Sequence, residues 1–449
     1  MNQNKNIEQN KSPVRNLGTE TSICWLRRDL RLEDNAALYH ALKGPHPVLL
    51  LFIFDKHILK KLENKMDARV TFIYQTLKTL QEKLIQKNTS IIVKYGIPEK
   101  VWAEVLATYN VKAVYTNRDY EPYATKRDDT LAEFLRSEEI AFPSFKDHVI
   151  FEKNEIVKAD EKPYTVFTPY FKIWNKKLNT FYTKSYPSEK YTSNFLPINE
   201  LPFPTLEEMG FGLSLQKFPK LDFEKKLDSY DKKRDYPALD ATTHIGLHLR
   251  FGTVSIREAA AKAIKHNAEK WLSELAWRDF YMMILWHFPH ITDKAFKPAY
   301  DNIKWRNNEV EFKAWCEGKT GYPLVDAGMR QLNETGFMHN RVRMIVASFL
   351  CKHLLIDWRW GEAYFAEKLL DYEQASNVGG WQWACGSGND AAPYFRVFNP
   401  TLQLQKFDPK MEYVYKWAPE YNLAILPLPI VDHVFARDRV LKAFKKALK

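Results

Sequence analysis

Cysteine is scarce in this chain of 449 residues, and several familiar site motifs are missing. The four cysteines, Cys24, Cys316, Cys351 and Cys385, are scattered, with no CxxC pair and no neighbouring pair of histidines. A zinc site or a disulfide framework is therefore not expected, and a reducing compartment fits this usage. There is no GxGxxG turn after a strand, no GxxxxGKS/T loop, no GxSxG and no HExxH, so the usual nucleotide-binding turns and hydrolase sites lack support. No apolar run is long enough to cross a bilayer, and no membrane association is predicted.

The composition describes a large, basic and aromatic protein. The chain is too long for a single hydrophobic core, so two or more domains are expected. A net charge of +11 favours a polyanionic partner without proving one. Most of the 13 tryptophans are expected to be packing residues. Residues 1–20 are polar and rich in Asn and Gln, which is typical of a disordered tail.

The hydrophobic pattern changes twice along the chain. Residues 21–145 alternate continuous apolar runs, such as PVLLLFIFD, with amphipathic stretches, such as DARVTFIYQTLKTLQEKLIQ. This pattern predicts a doubly wound parallel α/β domain of Rossmann-like type. Residues 146–223 are rich in Pro, Tyr, Phe and Lys and are interpreted as a long linker with little regular structure. Helical patterns dominate residues 224–449, which predicts an all-helical domain.

The run SELAWRDFY places an acid, an indole and a guanidinium on one helix face. Glu274, Trp277 and Arg278 have the spacing i, i+3 and i+4. One interpretation is an exposed charged face with an anchoring tryptophan. The other is a pocket wall in which Glu274 accepts from a base edge, Trp277 stacks on the base and Arg278 meets a phosphate.

The run HNRVRM places Asn340 and Met344 on one helix face, with Arg341 and Arg343 beside them. A ligand with polar and apolar parts would suit such a face. An amphipathic helix whose arginines pair with acids is the plainer alternative.

A third run, DYEQASNVGGWQWACGSGNDAAPYFRVFNP, combines acids, an amide and two tryptophans. Glu373, Asn377 and Trp381 would form a stripe if this segment is helical, although the pair of glycines at 379 and 380 is a candidate break. Trp381 and Trp383 lie two residues apart and would point to opposite sides of a helix. One is expected to face a buried cofactor and the other a substrate cleft.

Taken together, these three runs resemble the DNA photolyase/cryptochrome family, and the class I cyclobutane pyrimidine dimer photolyases most closely. The likeness extends from WLRRDLRLEDNAAL to LPLPIVDH. It implies an α/β antenna domain, a long linker and a helical FAD-binding domain. It also implies light-driven DNA repair without a metal. Excited reduced FAD donates an electron to a flipped-out dimer, the ring splits and the electron returns.

The family holds a U-shaped FAD in its helical domain, and the resemblance carries the contacts over to this chain. Asn377 takes the position beside flavin N5, where Asn favours the fully reduced anion needed for repair. The residues implied for FAD are Tyr230, Thr242, Thr243, His244, Ile245, Gly246, Trp271, Arg278, Asn340, Asp371, Tyr372, Glu373 and Asn377.

The resemblance also assigns electron transfer, catalysis and lesion binding. Three tryptophans, Trp305, Trp358 and Trp381, would carry charge stepwise between the flavin and the surface. The catalytic residues would be Glu274, Asn377 and Met344. The residues implied for DNA and the lesion are Arg234, Glu274, Trp277, Asn340, Arg341, Met344, Trp383 and Gln403.

Five positions depart from the family pattern, and each is expected to weaken FAD retention. They are His244 for Arg, Gly246 for Ser, Phe337 for Trp, Glu373 for Asp and Val378 for Asn. The identity of an antenna chromophore is left open between a folate, a deazaflavin, a second flavin and none. The run NRDYEP is compatible with an antenna contact, and Glu121 in it is the residue expected to contact a folate.

Two functions within the family are weighed beside dimer repair, together with a simpler class. A cryptochrome-type photoreceptor is disfavoured because Asn377 is not Asp or Cys and because LPLPIVDH is followed by no long extension. A (6-4) photolyase would carry a histidine pair where this chain has His339 and Asn340, and another histidine at Met344. A plain basic nucleic-acid-binding module would not need the three tryptophans. UV-damaged DNA is the expected partner of a monomer that is cytoplasmic, bacterial in type and associated with the nucleoid.

Overall fold

The computed structural model describes residues 18–423 and 427–449. Most of the predicted tail at residues 1–20 therefore lies outside the described residues, as does the first leucine of LPLPIVDH. Among the helices that are described, none is both long enough and apolar enough to span a membrane.

The N-terminal part is built on a parallel sheet in the order β3-β2-β1-β4-β5. The strands are β1 Glu20–Leu26, β2 Val48–Asp55, β3 Ile91–Gly96, β4 Asn110–Asn117 and β5 Ser144–Phe145. The helices that flank them are α1 Ala36–Leu42, α2 Lys56–Leu59, α3 Ala68–Ile85, α4 Pro98–Thr108 and α5 Pro122–Ser137.

Both faces of this sheet are covered. Alternate residues of β1 pack into two separate cores, Cys24 and Leu26 into one and Ile23 and Trp25 into the other. Every residue of β2 is buried, as a continuous apolar strand between two layers of helices must be. The predicted doubly wound parallel α/β architecture is confirmed.

The segment predicted to be an irregular linker contains one helix, α6 Phe167–Lys177, and a short 3-10 segment, Ser188–Asn194. The helix forms because Phe167, Tyr170 and Trp174 follow a helical spacing and present one buried stripe. These three residues belong to the same core as the helical domain. The first half of the linker thus packs as part of the helical domain, which the interpretation of residues 146–223 as a mere connector did not anticipate.

Helices make up most of the remaining chain, as predicted. They are α7 Tyr230–Lys233, α8 Gly246–Phe251, α9 Ile256–Lys265, α10 Glu269–His287, α11 Glu309–Cys316, α12 Pro323–Thr335, α13 Asn340–Ser348, α14 Trp358–Lys368, α15 Gln374–Cys385, α16 Pro400–Phe407, α17 Glu412–Trp417 and α18 His433–Ala447. Short 3-10 segments lie at Phe223–Ser229, Pro289–Thr292, Pro298–Asn302 and Pro419–Asn422, and a π-helical turn at Phe349–His353. The long helix α10 packs against α6, α9 and α15.

A buried ion network joins the α/β domain to the helical domain. Arg257 on α9 reaches Asp34 at 2.9 Å and Asp147 at 2.7 Å, and Arg31 reaches Asp147 at 2.6 Å. Burial alone would raise the pKa of Asp147, but the two guanidinium groups outweigh it and hold that pKa well below its usual range. Because the charges are buried and mutually paired, the two domains are fixed against each other at this point.

Candidate functional site

A cavity of about 480 Å³ opens among α8, α10, α13, α14 and α15. Its size lies within the range of small-molecule sites, roughly 300–1,000 Å³. The structure brings fourteen of the residues proposed from sequence to its lining. They are Arg234, Gly246, Glu274, Trp277, Arg278, Asn340, Arg341, Met344, Asp371, Tyr372, Glu373, Asn377, Trp381 and Trp383.

The other proposed residues do not line this cavity. Tyr230 and Trp271 line a second cavity of about 510 Å³ that shares the wall formed by Trp277. Thr242 and His244 line a third, of about 870 Å³, which meets the first at Asp371. The remaining ones are Thr243, which accepts from the indole of Trp271 at 3.2 Å, the buried Ile245, Gln403 on α16, Trp305 and Trp358.

The acid, indole and guanidinium predicted to share one face do share it on α10. One face of the Trp277 ring is covered by Phe167, with centroids 3.6 Å apart and planes 9° apart. Asp390 accepts from the backbone N–H of Phe167 at 3.0 Å and so holds the start of α6 in place. The linker helix therefore orients Trp277, a role that no local spacing indicates. Glu274, one turn away, is ion-paired with Arg234.

The third run forms α15, and the paired glycines do not break it. Gly379 lets the helix pass close to Tyr281, because a Cβ at this position would overlap the tyrosine ring. Trp381 is buried and Trp383 is half-buried, and both line the same cavity. Both tryptophans therefore reach one cavity, and the expectation that one faces a cofactor and the other a substrate within it stays a prediction.

Two acids on the cavity wall are held by three arginines, of which the sequence analysis names Arg278 and Arg343 but not Arg28. Asp371 accepts from Arg343 at 2.9 and 3.2 Å. Glu373 accepts from Arg28 at 2.5 Å and from Arg278 at 3.0 Å. Burial would raise the pKa of Glu373, but the surrounding arginines outweigh it and lower that pKa, so this carboxyl group is ionised at neutral pH.

Three of the positions that depart from the family pattern contact other residues around the cavity. The ring of His244 lies 4.1 Å from that of Phe337, so two departures from the family pattern form one contact. A Cβ at position 246 would stand 2.8 Å from Asp371 Oδ2, so the carboxylate occupies the space that a larger residue would need. At the position proposed to lie beside the flavin, Asn377 donates to the side chain of Glu362 at 2.8 Å.

Glu121, which sequence reasoning singles out for an antenna folate, is engaged elsewhere. Its carboxylate accepts from Arg250 at 2.6 Å and from Arg28 at 3.2 Å. It therefore helps to join the α/β domain to the cavity, and its placement lends no support to a folate contact.

The cavity combines positive charge with aromatic and aliphatic surface. Six cationic side chains and three carboxylates line it, together with Phe365, Leu369 and three tryptophans. Among the described residues, the buried indole nitrogen of Trp381 and Nε of Arg341 have no hydrogen-bond partner. Unpartnered buried donors beside a cationic, aromatic cavity fit a ligand with ring systems and phosphates, as FAD has.

The fold and the cavity define a two-domain protein in which an α/β domain is docked on a helical domain with a nucleotide-cofactor type of site. The family model "DNA photolyase" matches residues 22–190, and "FAD binding domain of DNA photolyase" matches residues 271–425. The chain therefore belongs to the DNA photolyase family and has its FAD-binding domain.

Relatives and solved structures agree with this assignment over nearly the whole chain. A deoxyribodipyrimidine photo-lyase of a Synechococcus species is 36% identical over 475 residues, which cover 95% of this chain and 96% of the relative. The structure of a class III photolyase from Agrobacterium tumefaciens is similar with a TM-score of 0.84 at 33% identity, covering 97% of this chain and 99% of that one. A Synechocystis cryptochrome is similar with a TM-score of 0.82 at 26% identity, covering 96% and 100%.

Proposed function

We propose that this protein repairs cyclobutane pyrimidine dimers in DNA with light, as a deoxyribodipyrimidine photo-lyase. One observation carries the proposal. Seven of the eight residues assigned to the lesion and seven of the thirteen assigned to the flavin line one cavity, with Asn340 in both sets. A dimer and a flavin bound there would lie close together, which favours electron transfer between them.

The cofactor would supply the chemistry, since reduced FAD, when bound and excited, is the electron donor. The side chains of this chain would do the rest. Arg343 and Arg278 hold Asp371 and Glu373 as fixed acceptors for the cofactor. Asn377, held by Glu362, would stand beside the isoalloxazine ring.

For the substrate, Trp277 offers the ring face that Phe167 leaves uncovered, and Met344 adds apolar surface. Glu274 would accept from the thymine edge. Photolyases belong to the enzymes that take a base out of the stack, a step that costs least where the duplex is already damaged. Cationic groups at the cavity mouth, among them Arg234 and Arg341, would bind backbone phosphates, so affinity should fall steeply with salt.

The test is repair under blue light. Purified protein with reduced FAD is mixed with an oligonucleotide that carries one thymine dimer, alongside a dark sample and a (6-4) photoproduct sample. Light-dependent loss of the dimer alone is expected. Glu274→Ala should lower the repair yield more than the FAD content, because Glu274 lines the lesion side of the cavity. An unchanged yield would place the lesion elsewhere.

A photoreceptor function is the second candidate, favoured by the similarity to the Synechocystis cryptochrome. It predicts bound, photoreducible FAD without dimer repair. The (6-4) activity has less support, because His339 caps α13 by accepting from the backbone N–H of Arg341 at 3.2 Å. Burial and two arginines lower the pKa of His339 to about 4, so it is neutral.

Other features of the proposal depend on the family alone. The class I assignment, the identity of any antenna chromophore and the monomeric state stay predictions. So does a cytoplasmic location with the bacterial nucleoid.

A further inference from the structure

Two arginines that line the cavity and are proposed for DNA contact are each paired with an acid, and only one of these acids is itself proposed to bind the lesion. Arg234 donates to Glu274, the carboxylate proposed for the lesion. Arg341 reaches Asp235 at 2.6 Å. The side chain of Glu274 is 31% exposed and that of Asp235 is 41% exposed. Of the two carboxylates, Glu274 is thus the less exposed, and it is the one that the lesion itself would bind.

The surroundings of Arg234 make the loss of its partner costly for Glu274. The Arg234 side chain is 14% exposed and lies over the ring of Tyr230 at 5.2 Å. Burial would lower the pKa of Arg234, but the carboxylate of Glu274 outweighs it and raises that pKa. If a phosphate takes Arg234, Glu274 is left in a cavity wall without its cation, and an unpaired, partly buried charge is unfavourable.

We propose that Arg234 and Glu274 exchange partners only when damaged DNA enters the cavity. A backbone phosphate takes the guanidinium while the imide N–H of the flipped dimer takes the carboxylate. Undamaged DNA inserts no base, so nothing replaces Arg234 on Glu274, and this phosphate contact is not made. The inference rests on the proposed function and adds to it a source of discrimination between damaged and undamaged strands.

The Arg341–Asp235 pair serves as a comparison for the Arg234–Glu274 pair. Asp235 is exposed enough to be hydrated when Arg341 leaves it, so any DNA phosphate can take Arg341 at little cost. The exchange at Arg341 should therefore be the same for damaged and undamaged DNA. Asp235 also lies 3.9 Å from Arg234 Nε, a weaker second contact.

The exchange has a signature in the salt dependence of binding. Each phosphate neutralised by the protein steepens the plot of log K against log salt by about 0.9. Wild-type protein should therefore show a slope that is steeper by about 0.9 for dimer DNA than for undamaged DNA, because Arg234 binds a phosphate only in dimer DNA.

The experiment measures Kd in the dark at several salt concentrations for two duplexes of identical sequence, one with a single thymine dimer. In Glu274→Gln, Arg234 loses its charged partner Glu274 from the start and keeps only the 3.9 Å contact with Asp235. Undamaged DNA should bind about fivefold more tightly and with a slope steeper by about 0.9, while dimer DNA binds more weakly.

The matched variant Asp235→Asn should tighten binding of both duplexes by one common factor and leave their ratio unchanged. Arg234→Gln should flatten the slope for dimer DNA alone. FAD absorbance and melting temperature report that each variant is folded.

The outcomes separate the inference from the function on which it rests. If wild type prefers the dimer but Glu274→Gln leaves the affinity and slope for undamaged DNA unchanged, the exchange is refuted and the repair function stands. A change in the damaged-to-undamaged ratio in Asp235→Asn as large as in Glu274→Gln would also refute it. If wild type binds both duplexes alike, the proposed function fails, and the exchange fails with it.

Discussion

Glu373 Oε1 lies 2.5 Å from Nη2 of Arg28, so a carboxylate of the cavity wall is bonded to the loop that follows β1. The same guanidinium reaches Asp119 at 3.1 Å and Glu121 at 3.2 Å in the segment that follows β4. β1 and β4 are the neighbouring strands at which the order of the sheet reverses, where doubly wound domains usually bind their ligands. Here Glu373 of the helical domain reaches the segments that follow β1 and β4. Its buried ion pair with Arg28 joins the cavity to the α/β domain.

Removing the charge of Glu373 should destabilise the whole protein. Glu373→Gln leaves Arg278 without its carboxylate partner and Arg28 with only Asp119 and Glu121, and breaking a buried pair costs up to about 3–5 kcal/mol. The depressed pKa of Glu373 means that its contribution is present above the unfolded-state pKa and lost as the pH falls through the folded-state value. Urea unfolding at pH 7 and pH 4 measures both effects, and the variant should differ less from wild type at the acidic pH.

Glu33→Gln is the matched control for that loss. Glu33 lies 3.8 Å from Lys83, and both side chains are about half exposed. A surface pair of this kind contributes at most about 1 kcal/mol. Equal losses in the two variants would show that the link between Glu373 and Arg28 carries no special stability.

Asp279 should make the protein less stable as the pH rises from about 4 to 7. Its Oδ2 accepts from two backbone N–H groups and from the indole of Trp174 at 2.9 Å, while Oδ1 has no partner among the described residues. Burial raises the pKa of Asp279 to about 7, against about 3.9 in the unfolded chain. The folded state therefore holds the extra proton in this window, and the free energy of unfolding falls as the pH rises, by an amount on the order of 4 kcal/mol.

The substitution Asp279→Asn keeps an accepting oxygen and removes the titration. The difference in unfolding free energy between variant and wild type, measured in urea from pH 4.5 to 8, should shift in favour of the variant as the pH rises. A difference independent of pH would mean that Asp279 ionises in the folded protein as it does in water.

The ring of Trp381 packs against the backbone of Gly361, where there is no room for a side chain. A Cβ on Gly361 would overlap the outer edge of the Trp381 ring, so Gly361→Ala must displace the indole or the helix α14. Overpacking of this kind costs about 1–3 kcal/mol. Gly380→Ala is the opposite case, because its Cβ meets nothing within 4 Å and alanine favours the helix by about 1 kcal/mol. Melting temperatures should therefore move in opposite directions, and a shift of the same sign in both variants would contradict this account.

The sequence predicts those parts of the site that depend on a single helix. Glu274, Trp277 and Arg278 share a face because the helical repeat alone decides it. The covering of Trp277 by Phe167, 110 positions away, and the bond from Arg28 to Glu373, 345 positions away, depend on how separate segments pack. Residue spacing carries no information about such contacts. The helix α6 was missed for a related reason, since its apolar stripe lies in a segment whose Pro and Lys content resembles a loop.

The route of electrons to the cavity gives a further prediction. Trp381 lines the cavity, and its ring centre lies 6.0 Å from that of Trp315 and 5.0 Å from that of Phe365. The route proposed from the family continues instead through Trp358 and Trp305, which belong to or pack against the same core as Trp381. Trp381→Phe should abolish photoreduction of oxidised FAD under blue light with a thiol reductant, and it should spare repair by chemically reduced protein.

Trp315→Phe decides between the two routes out of Trp381. Trp315 is fully buried, and its indole donates to Val346 at 3.1 Å, so the variant should be less stable whichever route is used. If electrons arrive through Trp358, Trp315→Phe should photoreduce at nearly the wild-type rate, while Trp358→Phe should be strongly slowed. The reverse ranking, read from the flavin absorbance during illumination, would assign the transfer to Trp315, which no sequence pattern singles out. Both variants replace a buried Trp by Phe, and dividing each rate by the amount of bound FAD separates a loss of transfer from a loss of stability.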